Sequence, residues 1–341
     1  MSERKPLVIK KNRDMSFDHD LSCAAKAILN ANSLAILSHT GPDADAYGSM
    51  CGLALALKDQ GKKVSCFNEA GAMEKYTFIP GVEEVSDSFS VDAPFDLLVV
   101  CDCGDRKRMG DIFAPLATNH SAPLLNIDHH SSNELFGDFN LVSVTHSSTS
   151  EIVCDLLSAL KFTLSAKAAT ALLAGIVGDT GSFRYSCTSS RTLATASQLV
   201  ASGGSLVDIS KELYGSYPLS MVRLQANVLL NMKMHHHDEI AGIVVSKELF
   251  DQYGASADDA DMLVERARDI QGVKISYAAR QVDDLWKVSL RSVNDQYDVA
   301  QVAQCFGGGG HKAAAAFRTR KDFRTLEESL VTKLSEVLDG A

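Results

Sequence analysis

This 341-residue chain predicts an α/β fold: a parallel-sheet domain with flanking helices, followed by a smaller α/β domain. Three observations carry that expectation. Short apolar segments rich in β-branched residues alternate with helically spaced segments through the first half, the pattern of parallel strands joined by covering helices. Acidic and imidazole residues stand where those apolar segments stop. A shorter series of strands and helices then follows a helical stretch past the middle of the chain and includes a run of glycines.

The elements follow in order. SLAILSH (33–39) reads as a strand, YGSMCGLALALKDQG (47–61) as a helix and KVSCFN (63–68) as a strand. FDLLVVCD (95–102) and PLLNIDHH (123–130) are further strands, apolar enough to be covered on both faces. SEIVCDLLSALK (150–161) is a helix. Ser148 with Glu151 makes a capping box ahead of Ile152, Val153, Leu156, Leu157 and Leu160, which share one helical face. SAKAATALLAGIVGDTGSF (165–183) predicts a buried helix running into a loop, and another helix spans Ser190 to Ala201. LSMVRLQANVLLNMKM (219–234) has helical spacing and connects the halves. The second unit carries a strand at 240–246, a helix at 259–270, strands at 273–282 and 285–292, and a helix at 298–306 before the glycines. These signals divide the chain into a first domain at 1–187, a helical connector at 188–234 and a second domain at 235–341.

Composition limits the function. With 33 Lys and Arg against 43 Asp and Glu, the net charge of −10 argues against coating long nucleic acid, where cations must neutralise phosphates. A small anionic substrate is still admissible, because a few local cations or metal ions can meet it. The eight cysteines lie mostly in apolar segments and form no CxxC pair, which favours reduced thiols and a cytoplasmic setting. No segment reaches about 18 consecutive apolar residues, so no membrane partner is expected. The triplet His235, His236 and His237 lies beside Asp238 and Glu239 and reads as a solvated turn.

LLNIDHHSSN (124–133) poses the functional question, because Asp128, His129 and His130 are costly to bury without partners at the end of an apolar strand. In an open parallel sheet, ligands gather beyond the carboxyl ends of the strands. His39 ends one strand and is followed by Asp43 and Asp45; Asp102 ends another; Asp179 follows LLAGIVG. Each has a plain structural reading: Asp43 or Asp45 as a helix cap, Asp102 as a turn residue, the histidines as loop caps. Jointly, four segment ends delivering the same donor types point to a metal site. Carboxylate and imidazole without thiolate suit Mn²⁺, Mg²⁺ or a similar ion. The donors suffice for two divalent cations, which about 3.5–4 Å apart serve phosphoester displacement.

HTGPDADAYGS (39–49), VVCDCGD (99–105), IDHH (127–130) and GIVGDTGSFRY (175–185) together resemble the four motifs of the DHH phosphoesterase superfamily. FGGGGHKAAAAF (306–317), preceded by VSLRS (288–292), is similar to the DHHA1 domain of that superfamily, so the likeness spans nearly the whole chain. The layout resembles the nano-RNase group, oligoribonucleases that also act as 3′-phosphoadenosine 5′-phosphate phosphatases. The resemblance implies that His39 and Asp43 bind one manganese ion and that Asp102 bridges to a second held by Asp45, His129 and Asp179. It implies that His130 faces the substrate phosphate while Asp128 orients an imidazole or a hydrogen-bonded loop, with the active site in the cleft between the domains.

Glycines let backbone N–H groups approach a ligand closely, and Gly307, Gly308, Gly309 and Gly310 precede the donors His311 and Lys312. With Arg291 and Ser292 they resemble the family's pocket for a terminal nucleotide and its phosphate. One departure stands out: relatives commonly carry Ala-Ala-Gly where Ala316 completes an unbroken alanine run, which would strain a positive φ. The basic loop Arg106, Lys107 and Arg108 is a candidate phosphate-steering element or a solvated loop. The expected function is two-metal, Mn²⁺-dependent exonucleolytic hydrolysis of two- to five-nucleotide RNA and of 3′-phosphoadenosine 5′-phosphate. The alternatives are an exopolyphosphatase or pyrophosphatase, a cyclic-dinucleotide phosphodiesterase, and a non-catalytic nucleotide-binding regulator. Pairing into a homodimer is left open.

Overall fold

The computed structural model describes residues 15–88, 95–119, 121–260 and 262–340. The chain divides into two compact units, Met1–Ser216 and Tyr217–Ala341.

The first unit contains α1 (Met15–Asn30), β1 (Ser33–Leu37), α2 (Ala44–Asp59), β2 (Lys63–Phe67), β3 (Leu97–Cys101), α3 (Gly110–Asn119), β4 (Leu124–Asp128) and β5 (Phe139–Val142). It continues with α4 (Thr149–Ala159), α5 (Ala166–Asp179), α6 (Ser190–Ala201) and α7 (Leu206–Tyr214). Its five strands form one sheet in the order β2-β1-β3-β4-β5, every pair parallel. The strands are apolar throughout because both faces are covered. Leu34, Ile36, Leu97, Val99, Leu125 and Ile127 face one cluster with α2, α4 and α5, whereas Ala35, Leu37, Leu98, Val100 and Leu124 face another with Met109 and Phe113. Each fully buried leucine or isoleucine contributes roughly 1.5–3 kcal/mol. A charge on either face would therefore break the sheet.

Two glycines let α2 and α5 approach closely. A Cβ on Gly48 would stand 2.7 Å from Ala171 O, and one on Gly175 would stand 2.5 Å from Asp45 Oδ1. Ser148 caps α4 as expected, accepting from Glu151 N at 3.1 Å. The reciprocal half of the capping box is replaced: the Glu151 carboxylate takes Ser147 N and Oγ at 2.8 and 2.7 Å instead.

The second unit contains α8 (Leu219–Leu230), β6 (Lys233–His235), β7 (Ile240–Val245), α9 (Lys247–Tyr253), α10 (Leu263–Arg268), β8 (Ile275–Val282) and β9 (Leu285–Ser292). It ends with α11 (Val299–Cys305), β10 (Gly309–His311), β11 (Ala314–Thr319) and α12 (Phe323–Asp339). Its six strands run β10-β11-β9-β8-β7-β6 and form a mixed sheet, with β7 and β8 its parallel pair. One face packs Tyr277, Leu290 and Phe317 against α11 and α12; the other packs Ala241, Ile243 and Ala278 with α8, α9 and α10. The helices expected as a connector each join one core: Leu199 of α6 and Ile209 of α7 in the first unit, Leu224 and Val228 of α8 in the second.

Three local expectations are corrected. The helix expected over 219–234 stops at Leu230, with Asn231 as its cap, because Lys233–His235 pairs as an edge strand with β7. His235 thus lies in a strand with Nε2 3.1 Å from Tyr277 Oη, while His236, His237 and Asp238 form a left-handed turn. The helix expected over 259–270 shortens to Leu263–Arg268, since the Asp259 carboxylate accepts from Ser256 N at 2.7 Å and holds a local turn. The strain raised for Ala316 does not arise: the glycine run enters the β10–β11 hairpin, where Ala316 is an ordinary extended strand residue paired with Gly309 and Ser289. No positive φ is demanded of it.

Candidate functional site

The carboxyl ends of β1, β3 and β4 are neighbours on one edge of the parallel sheet, and each delivers donors there. His39 follows β1, Asp102 follows β3, and Asp128, His129 and His130 close β4. Asp43 and Asp45 arrive at the start of α2 and Asp179 at the end of α5. Three groups result, each with one ligand atom per residue within 4.8 Å of the others: His39, Asp43 and Asp102; Asp45, His129 and Asp179; Asp102, His129 and His130. Asp102 belongs to two of them, and so does His129.

Each donor is held in place by identifiable bonds. Asp43 is both cap and candidate ligand: its Oδ1 accepts from Asp45 N and Ala46 N at 2.9 and 3.0 Å, and that cap uses one of its two oxygens. Asp45 does not cap its own helix. It is fully buried, and its carboxylate accepts from Thr149 N at 2.7 Å and Ser150 N at 3.0 Å, plugging the amino end of α4. His39 Nδ1 is 2.9 Å from Thr40 O, which turns Nε2 toward Asp102 Oδ2 at 3.4 Å. Asn68 fixes the same loop, donating Nδ2 to Ser38 Oγ and to His39 O at 2.8 Å each. Asp102 adopts φ 56, a conformation that Asp tolerates better than most residues. His129 Nε2 is 3.2 Å from Asp179 Oδ2 and 3.7 Å from Asp102 Oδ1. Asp128 is fully buried, with Oδ1 2.7 Å from His130 Nδ1 and Oδ2 accepting from Asn133 Nδ2 at 2.6 Å.

The electrostatics describe a site short of positive charge. Among the described ion pairs, no lysine or arginine meets Asp43, Asp45, Asp102 or Asp179; imidazoles pair with Asp102 and Asp179. Burial, then the charges of Asp179 and Asp102, push the Asp45 carboxyl well above its ordinary range. Burial also raises Asp179, to about 6, with Asp43 and Asp102 adding to it. Burial alone would lower His129, yet Asp179, Asp45 and Asp102 lift it to about 10. Burial would raise Asp102, but His39, His129 and His130 hold it down to about 2. Four neighbouring carboxylates with no lysine or arginine partner among the described ion pairs fit divalent cations, whose charge would remove this repulsion.

The sequence reading passed over Thr149, whose N–H reaches Asp45 and whose Oγ1 donates to Asp102 Oδ1 at 3.0 Å. It also passed over Asn68, Asn133 and Gly175. The partners of Asn68 and Gly175 in the site lie on other segments, so no local pattern marks them, whereas Asn133 bonds to Asn126 and Asp128 within its own stretch.

In the second unit, Arg291, Ala314 and His311 face one another in register across β9, β11 and β10. Two of the three Arg291 guanidinium nitrogens are engaged, Nε by Glu265 Oε1 at 3.0 Å and Nη1 by Leu290 O at 3.0 Å. Ser292 is buried and donates Oγ to Asn294 O at 2.9 Å. The glycines divide by cause. A Cβ on Gly308 would stand 2.2 Å from Ala316 O and one on Gly310 2.5 Å from Ala314 O, whereas at Gly309 nothing lies within 4 Å. Gly307 has φ 77. Of the basic loop, Arg106 donates Nη2 to Phe136 O at 2.7 Å, while Lys107 and Arg108 are exposed.

Residues 33–176 match the DHH family, N-terminal domain, and residues 240–340 match the DHHA1 domain. The chain is 30% identical over 280 residues to the bifunctional oligoribonuclease and PAP phosphatase NrnA of Bacillus subtilis, covering 81% of this chain and 86% of that protein. The chain belongs to the DHH phosphoesterase family. It is therefore an enzyme, a hydrolase of phosphoester bonds, and the DHH phosphoesterases are metal-dependent. The Thermus thermophilus protein of the same name is 33% identical, covering 82% of each chain. A solved structure of an exopolyphosphatase-related protein from Bacteroides fragilis superposes with a TM-score of 0.85 at 25% identity, over 94% of this DHH protein and 98% of that chain. No helix among the described residues is long and apolar enough to cross a membrane.

Proposed function

We propose that this DHH phosphoesterase hydrolyses very short oligoribonucleotides from one end, and 3′-phosphoadenosine 5′-phosphate, using two divalent cations with Mn²⁺ the best fit. The observation that carries the proposal is the overlap of the donor groups: Asp102 is shared between the group of His39 and Asp43 and a group containing His129. A shared carboxylate is the arrangement that lets two cations sit close enough to act on one phosphoryl group. In this reading His39 and Asp43 hold one cation, Asp45, His129 and Asp179 the other, and Asp102 both. When bound, such a pair supplies a water activated near neutral pH and positive charge against the phosphoryl oxygens.

The remaining work falls to the protein. Asp128 holds His130 by Nδ1, so that His130 presents its other nitrogen to a substrate oxygen. Arg291, through the nitrogen left unengaged, would grip the substrate's terminal phosphate, with His311 and the open backbone at Gly309 beside the nucleotide. The NrnA name of the relatives supports the substrate choice, and the acidic net charge of −10 agrees with the limit to short RNA.

The test is product analysis with Mn²⁺ on four substrates in parallel: a labelled diribonucleotide, a long RNA, 3′-phosphoadenosine 5′-phosphate and polyphosphate. Cleavage of the dinucleotide and the adenosine bisphosphate, with the long RNA slow, is expected. Phosphate released from polyphosphate alone would overturn the proposal in favour of an exopolyphosphatase.

A further inference from the structure

We propose that Thr149 is a positioning residue that sets the spacing between the two groups of donors, acting through Asp45 and Asp102 and never touching substrate. This rests on the two-cation reading above. Thr149 is the first residue of α4 and is fully buried. Its two polar donors go to the two groups separately: N–H to Asp45 Oδ2 at 2.7 Å, Oγ1 to Asp102 Oδ1 at 3.0 Å. Asp45 stands with His129 and Asp179, and Asp102 stands with His39 and Asp43. One residue is therefore bonded to a member of each group.

A threonine at this helical position commonly turns its hydroxyl back to nearby backbone. Here the hydroxyl instead crosses to the end of β3. Nothing local requires that, because the free N–H groups of the first turn already have acceptors. Thr149 N and Ser150 N go to Asp45, and Glu151 N goes to Ser148 Oγ.

The position of Thr149 is itself fixed from behind. Glu151 is fully buried, and its carboxylate accepts from Ser147 N and Oγ, from Thr192 Oγ1 at 3.2 Å and from Arg191 Nε at 3.0 Å. Arg191 Nη2 also donates to Thr145 O at 2.6 Å, so the turn before α4 is tied to the start of α6. Without its hydroxyl, the Asp102 oxygen that Thr149 holds would keep only imidazole neighbours, at 3.6 and 3.7 Å. Asp102 would then be free to turn away from one group. Partners of this kind cost about 10–100-fold in metal affinity when removed.

The experiment measures Mn²⁺ stoichiometry and affinity on the full chain, from the spectroscopic signal of free Mn²⁺, for the parent and for Thr149→Val, Thr149→Ala and Thr149→Ser. Melting of the metal-free proteins and KM for the diribonucleotide are measured alongside. Val and Ala are expected to weaken Mn²⁺ binding by about 10–100-fold while KM stays near parental, and Ser is expected to restore binding. Two ions bound by Thr149→Val with parental affinity would overturn the proposal alone. Loss in Thr149→Ser equal to that in Val and Ala would also overturn it, assigning the effect to the methyl group. A parent that binds no Mn²⁺ would overturn the two-cation reading together with it.

Discussion

Asp128 and His130 form a buried carboxylate–imidazole pair, Oδ1 to Nδ1 at 2.7 Å, in which the carboxylate is fully enclosed and the ring is partly exposed. Two residues at the end of one strand thus have unlike duties: Asp128 fixes the ring, and His130 is the one that can meet a ligand. Asp128→Ala should lower kcat by about 10–100-fold while Mn²⁺ binding stays close to parental. Stability should fall by only about 1–3 kcal/mol, because Asn133 keeps its bond to Asn126 Oδ1 at 2.8 Å. Steady-state kinetics and Mn²⁺ titration of the variant check this, and a loss of bound metal would move Asp128 into the ligand set.

Gly175 separates helix propensity from site geometry. Alanine there gains about 1 kcal/mol of intrinsic helix preference, but its Cβ would lie 2.1 Å from Ser150 Oγ and 2.5 Å from Asp45 Oδ1. Overpacking of that kind costs about 1–3 kcal/mol, so clash wins. Gly175→Ala should melt at lower temperature and bind Mn²⁺ more weakly, since Asp45 is displaced together with Ser150. A variant that melts higher with parental Mn²⁺ affinity would contradict the geometry.

Protons and cations should compete for the site. In the metal-free protein, Asp179, Asp45 and Asp102 overcome burial and hold His129 at about 10, above the ordinary 6.5. A raised folded-state pKa stabilises fully below the unfolded value and is lost as pH rises through the folded one. Metal-free stability should therefore decline between pH 6.5 and about 10, while Mn²⁺ affinity rises over the same window with release of a proton. Thermal melts of chelator-treated protein across that range check the first half. Calorimetric Mn²⁺ titrations in buffers of different ionisation enthalpy check the second, and heats independent of buffer would refute it.

Arg291 should act on binding more than on chemistry. Arg291→Ala is expected to raise KM for the diribonucleotide by about tenfold or more, the scale of a charge-assisted hydrogen bond, while sparing slow hydrolysis of a simple aryl phosphoester. Glu265→Ala should give a smaller change in the same direction, because Arg291 keeps its bond to Leu290 O. Equal losses on both substrates would place Arg291 in the bond-breaking step instead.

Much of the fold was legible because its signals are local. The runs ending at His39, Asp102 and Asp128 predicted three strands with donors at their ends; that the three are neighbours came from the sheet order. Strand β5 and helix α1 were passed over, since FNLV is four residues long and α1 mixes charged and apolar residues along its length. The β10–β11 hairpin was passed over for a related reason: glycine permits a turn, but whether a strand follows depends on β11 and β9 lying alongside.

The sequence by itself determined which chemistry is available, because carboxylate and imidazole types and the strand ends that carry them are properties of single residues and short windows. Only the tertiary structure decided how those groups are used. Asp43 caps α2 with one oxygen, whereas Asp45 leaves its own helix to plug α4, whose first residue lies 104 positions away. Arg291 is braced by Glu265, and Thr149 joins Asp45 to Asp102. Hydrogen bonds of that span follow from which segments pack together, and packing is settled by burial across the whole core, a quantity that no short window of sequence contains.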